Sequence, residues 1–187
     1  MTSRVKPWKV RHSRYLLKER FATVRADNCV TQDGVEVPSY YVLEYPGWVN
    51  VVALDMEDHI LLVRQYRHAL GDISLELPGG CMDDNETPIE AGARELLEET
   101  GYGNASRLTL VASHSPNTAT HANLIHTVLI EGVSALGVQQ DDGVEVLEVE
   151  RVPFRQALSL AMSGVIMQST HVASLVLALR AAGKIDL

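Results

Sequence analysis

Between Gly79 and Tyr102 the chain reads GGCMDDNETPIEAGARELLEETGY, a run of acids around a single arginine, Arg94. A helix advances about 100° per residue. Glu95 and Glu99 then lie about 40° apart, with Glu98 about 60° to the other side of Glu95. The three carboxylates share one face, where like charges repel by a few tenths of a kcal/mol per pair. Glu86 joins that face if the loop before the helix folds back. Three chemistries account for such crowding. The face is solvated, glutamate being a good helix former. Arg94 pairs with Glu98 at i, i+4, which answers for one acid but not three. Or the oxygens hold a hard divalent cation, which keeps waters and receives substrate phosphates. In that case the ion turns the repulsion into attraction.

The elements around this run have clear punctuation. Thr87, Pro88 and Glu90 stand where an N-cap, an N1 proline and a capping-box partner belong. Gly101 stands where a helix ends in a left-handed turn. The helix is expected over roughly 88 to 100, with Ile89, Ala93, Leu96 and Leu97 as its apolar stripe. Before it, ISLELPGG reads as a short strand ending in a glycine loop whose backbone can approach a ligand. Earlier, two β-rich runs between about Phe21 and Tyr45 flank Asp33-Gly34, a hairpin turn. VNVVALDMEDHILLVRQY reads as a second hairpin buried on both faces. Strands are expected at about 107–113, 122–131 and 144–152. Two helices follow, at about 153–163 and over STHVASLVLALRAA. Hairpins mixed with helices point to a mixed sheet flanked by helices.

The intervals between Gly80, Glu86, Arg94, Glu95, Glu98, Glu99 and Gly101 resemble the box of the Nudix hydrolases, which here spans the 23 residues Gly80–Tyr102. Every charged and glycine position matches; Tyr102 stands where the family usually has an aliphatic residue. The resemblance implies an α/β/α sandwich with a mixed sheet, preceded by N-terminal antiparallel strands. It also implies Mg2+-dependent hydrolysis, with Mn2+ as the alternative ion, of a nucleoside diphosphate linked to another group. By the same resemblance Glu95, Glu98 and Glu99 are metal ligands and Glu86 supports them. Arg94 orients the glutamates, and the carbonyl of Gly79 reaches a metal.

VRQYRHAL followed by LELPGG resembles the ADP-ribose and nucleoside diphosphate-sugar pyrophosphatase branch. That branch implies substrate contacts from Arg67, with Arg64 as a second candidate, because a guanidinium can bind two phosphate oxygens at once. Glu76 falls on the active-site side. Pro116 matches a branch proline about fifteen residues past Gly101. The residues after it, Asn117 to Thr120, depart from the branch, so a sugar nucleotide of the GDP-mannose type is a rival substrate. The attacking water needs a base; related enzymes often use a glutamate on an acidic loop, which implies Glu145 first and Asp142 second, in QQDDGVEVLEV. Products are a nucleoside monophosphate and a sugar phosphate. Other readings are hydrolysis of RNA 5′ ends or nucleoside triphosphates, and a non-catalytic nucleotide sensor. His114, His121 and His126 match no zinc spacing and read as strand and loop histidines.

The bulk composition agrees with one main domain. The chain has 187 residues, 46% hydrophobic and 21% charged, with a net charge of −8. That acidity argues against a stable nucleic-acid partner. The first twenty residues are basic and read as a solvated, partly mobile arm. Residues 1–47 are expected to form this arm and a dimerising hairpin, and residues 48–187 the hydrolase domain. The branch resemblance implies a homodimer, with Tyr15, Tyr40, Tyr41 and Trp48 as candidates to stack on a base. Cys29 and Cys81 form no CxxC pair, no apolar signal core opens the chain, and its apolar runs are too short for a bilayer. A cytoplasmic setting without membrane attachment is expected.

Overall fold

A computed structural model of the chain describes residues 5–19, 22–137, 139 and 146–186. Two compact units emerge: residues up to Pro46 together with Ser115–Asn123, and Gly47–His114 together with Leu124 onward.

The first unit is an antiparallel sheet of β1 (Lys9–Glu19), β2 (Ala22–Val30) and β3 (Glu36–Glu44), in that order. The β2–β3 hairpin turns where expected, with Gly34 at φ 83° and its amide donating to the Thr31 carbonyl at 3.1 Å. The basic arm is the first correction. Lys9–Glu19 is a strand, paired from Lys9 opposite Val30 to Glu19 opposite Ala22. All eleven of its residues are exposed. Backbone ladder bonds therefore hold it rather than a buried face, and no hydrophobic alternation announces it. The segment Ser115–Asn123 is tied to β3: the Leu43 amide donates to the Thr120 carbonyl at 2.7 Å, and Ala122 returns the bond to Leu43 at 3.0 Å.

The second unit is an α/β/α sandwich. Its sheet runs β10 (Glu148–Pro153), β5 (His59–Arg67), β4 (Trp48–Asp55), β9 (Ile125–Ala135), β7 (Tyr102–Gly103). β6 (Asp72–Glu76) pairs with β5, and β8 (Arg107–His114) with β9. β4 and β9 are parallel and the other pairs antiparallel. The period-two alternation of β4 feeds both faces. Val49, Val51 and Ala53 pack under α1 (Pro88–Thr100) with Leu61, Leu96, Val128 and Ile130. Val52 and Leu54 join Ile60, Leu62, Leu175 and Leu179 under α2 (Phe154–Met162) and α3 (Ser169–Ala181). The mixed sheet and its flanking helices agree with the expected fold class.

The termini of α1 are as expected. Thr87 and Glu90 form the reciprocal capping box, and Gly101 closes the helix in the left-handed region at φ 70°. Its inward face is not as expected. Of the four stripe residues only Leu96 is buried; Ile89 and Leu97 are exposed at 37% and 38%, and Ala93 is exposed as well. Ala91, Gly92, Leu96, Glu99 and Thr100 face inward instead. Small residues make this contact because the helix lies close to the sheet. A Cβ on Gly92 would sit 3.2 Å from the Val128 side chain.

Candidate active site

The loop between β6 and α1 is pinned along β4. Val51 donates to the Pro78 carbonyl at 2.8 Å and Val49 to the Gly80 carbonyl at 2.9 Å. Gly79 must be glycine, because its φ is 154° and a Cβ there would lie 2.0 Å from the Val49 carbonyl oxygen. A Cβ on Gly80 would fall 2.4–2.6 Å from the Glu95 carboxylate and would push that side chain aside. Bare backbone is thus what lets the loop and the helix acids come together.

Arg94 gathers the acids. Its Nε and Nη2 donate to the two oxygens of Glu86, both at 2.9 Å, so the loop does fold back onto the helix. Nη1 donates to Glu95 at 2.8 Å and to Glu98 at 3.2 Å, and Nη2 also reaches the Cys81 carbonyl at 3.0 Å. Glu99 is placed differently. It is buried, and its Oε2 accepts the Gly79 amide at 2.9 Å, which ties the end of α1 to the glycine loop. Among the described residues, no three acids, histidines or cysteines already surround a common point.

Charge at this site is oversubscribed. Hydrogen bonding to Arg94 holds Glu86 below the usual carboxylate range. Burial raises Glu95, and the neighbouring Glu98 and Glu86 raise it further against the pull of Arg94. Arg94 itself is driven up by its bonds to Glu86 and Glu95. One guanidinium cannot neutralise three carboxylates, and a half-buried carboxylate whose ionisation is opposed is a group that gains from a second cation. Glu86, Glu95, Glu98 and Glu99 are hard oxygen donors beside the bare backbone of Gly79 and Gly80, so this donor set fits a divalent ion.

The expected substrate arginines have partners. Arg67, at the end of β5, donates from Nε and Nη2 to Glu76 at 3.0 and 2.7 Å. Glu76 is 2% exposed. Burial opposes its charge most, yet the hydrogen bonds and charge of Arg67, with a bond from Ser74, hold it below the usual carboxylate range. Arg64 instead bonds Glu150 on β10, a diagonal cross-strand pair. Pro116 lies in Ser115–Asn123 and so belongs to the first unit. Asp142 and Glu145 lie outside the described residues.

His171 was not anticipated. It sits on α3, 1% exposed, and its Nδ1 accepts the Leu77 amide at 3.0 Å. The aromatic candidates are dispersed. Tyr15 and Tyr41 are exposed, Tyr40 meets Trp8 edge-on, and Trp48 donates to Asn50 at 3.0 Å. Two of the three histidines make ordinary contacts, His126 with Ser113 at 2.7 Å, and His121 with Thr120 at 3.0 Å and stacked on Tyr45, whereas the His114 Nε2 is buried with no hydrogen-bond partner among the described residues.

Comparison with known proteins gives this architecture its class. The NUDIX domain matches residues 45–168, and the nucleoside diphosphate sugar hydrolase N-terminal domain matches residues 8–43. The chain belongs to the NUDIX family. It is 33% identical over 123 residues to the ADP-ribose pyrophosphatase of Bacillus subtilis (strain 168), covering 65% of this chain and 66% of that one. It is 34% identical over 105 residues to the ADP-sugar pyrophosphatase of Mus musculus, covering 54% and 48%. The alignments thus span just under two thirds and about half of those relatives. A crystal structure of an ADP compounds hydrolase superposes with a TM-score of 0.83 over 98% of this chain and all of that one, at 22% identity, a likeness of fold.

Proposed function

We propose that this NUDIX-family protein is a pyrophosphohydrolase that cleaves the diphosphate of a nucleoside diphosphate sugar, with ADP-ribose as the first candidate, to a nucleoside monophosphate and a sugar phosphate. One observation carries the reading. The short LPGG loop joins an acidic cluster with surplus negative charge to an arginine held in a fixed plane by Glu76. The first suits cations and the second suits phosphate oxygens. The names of the bacterial and mouse relatives, and the match to the N-terminal domain of sugar-diphosphate hydrolases, support the substrate class.

Glu95, Glu98 and Glu99 would hold Mg2+, or Mn2+, with Glu86 and the Gly79 carbonyl in support. When bound, the cation supplies charge neutralisation at the diphosphate and an activated water. The chain's own residues do the rest. Arg94 keeps Glu86, Glu95 and Glu98 apart yet aligned. Glu99 fixes the loop through the Gly79 amide. Arg67 orients the diphosphate, with Arg64 as a further cation on the same strand and Pro116 as a further substrate contact. Glu145, or else Asp142, takes the proton from the attacking water. We assign the N-terminal sheet a dimerising role: its exposed edge strand carries Val10, Tyr15, Leu16 and Leu17, apolar surface that a second copy would cover. Two free thiols, Cys29 and Cys81, fit a cytoplasmic setting.

The test is a panel with Mg2+: ADP-ribose, GDP-mannose, UDP-glucose, dinucleoside polyphosphates and oxidised nucleoside triphosphates. Turnover of a nucleotide sugar, with the monophosphate and sugar phosphate as products, is expected. Turnover confined to triphosphates contradicts the assignment.

A further inference from the structure

We propose that His171 is a positioning residue for substrate binding: from α3 it fixes the Glu76–Leu77 junction, and through it the orientation of Arg67. The inference rests on the reading of Arg67 as a diphosphate contact and deepens it.

The geometry runs as a chain of four groups. The His171 Nδ1 accepts the Leu77 amide at 3.0 Å. Leu77 is the residue after Glu76, where β6 ends and the glycine loop begins. Without the imidazole this buried amide at a strand end would need another acceptor. Glu76, 2% exposed, takes both donors of the Arg67 fork, so its position sets the guanidinium plane. A fork held at Nε and Nη2 presents its charge in one direction rather than many.

The helix that carries the histidine is itself tied to the sheet. One turn along α3, Ser174 accepts from Asn50 of β4 at 3.1 Å and shares a 2.8 Å bond with Thr127 of β9. This second polar tie fixes the register of the helix against the sheet. The imidazole accepts at Nδ1, so its proton resides on Nε2. Nε2 is buried and has no hydrogen-bond partner among the described residues. An apolar side chain would avoid that unpaired donor. Retaining histidine makes sense if a neutral acceptor is needed at Nδ1. Burial, with Arg67 adding to it, keeps the ring neutral.

The test is a double-mutant cycle with the substrate the panel identifies, so that it can be read even if that substrate is not a nucleotide sugar. His171→Leu removes the acceptor. His171→Gln keeps polarity but moves the acceptor, and serves if the leucine variant does not fold. His171→Asn restores an oxygen near the Nδ1 position. Leucine or glutamine is expected to raise KM about tenfold with kcat within about twofold, and asparagine to recover most of the loss. In an Arg67→Ala background the same changes should add less than about twofold to KM. Equal, additive losses in both backgrounds, or a fall in kcat without a rise in KM, overturn the proposal. If Arg67→Ala alone leaves KM unchanged, the arginine is not a substrate contact and both ideas fall together. Failure of the sugar reading alone appears in the panel instead.

Discussion

On α1, Arg94 faces three carboxylates, Glu86, Glu95 and Glu98, and the group keeps a surplus of negative charge. At the end of β5, Arg67 pairs with the buried carboxylate of Glu76 at 2.7 Å. The first cluster is partly open to water, with the Glu98 side chain 41% exposed; the second is closed around Glu76 at 2%. An open, oversubscribed cluster can accept another cation, whereas a carboxylate buried at 2% can fix the plane of the partly exposed Arg67, whose side chain is 32% accessible. The same residue types therefore serve two purposes, set by burial rather than by sequence motif.

The largest effect should come from the acidic side. Glu99→Gln keeps an acceptor for the Gly79 amide but removes charge, so the fold should survive. Steady-state turnover with Mg2+ should fall about a thousandfold, since a bound cation contributes several kcal/mol to the transition state. Loss of the folded circular dichroism signal instead would make Glu99 a structural acid. Arg94→Ala should cost about 10–100-fold, because the carboxylates lose the group that spaces them. Arg94→Lys should recover little, since an ammonium cannot bridge three acids in one plane.

The buried cluster sharpens the contrast through pH. Burial pushes His171 down to about 4, with Arg67 adding and Glu76 opposing. Between an ordinary value near 6.5 and that lowered value, the unfolded chain binds a proton that the folded chain does not. Stability should thus fall as pH drops through this window, by up to about 3 kcal/mol from this group. Glu76, held low, adds loss of the same sign only at still lower pH. Urea midpoints measured from pH 7 to 4 should flatten in His171→Asn; an unchanged slope would show that the imidazole titrates normally. The smallest effect lies outside both clusters. Thr87→Ala removes one cap of α1 and should cost about 1 kcal/mol in urea unfolding, with turnover within about twofold.

How much of this was legible follows the range of each interaction. The bounds of α1, its cap and the Arg94–Glu98 pair depend on residues within one or two turns, and the sequence alone displays them. The inward face of α1 was misread because hydrophobicity marks Ile89 and Leu97, whereas the close approach to the sheet selects the small Ala91 and Gly92. β1 escaped notice because a wholly exposed strand has no burial pattern to read. His171 was invisible for a third reason. Its partner Leu77 is 94 residues away, and nothing in STHVASLVLALRAA separates a histidine that accepts an amide from one that merely fills a core.

Binding of the divalent ion tests the central claim most directly. Mg2+ affinity should be measured by titration calorimetry, with a non-hydrolysable ADP-ribose analogue present, for the wild type and for Glu95→Gln and Glu99→Gln. The account expects saturable binding in the wild type, weakened at least about tenfold by either substitution. Equal affinity in all three proteins would place the ion elsewhere and contradict it.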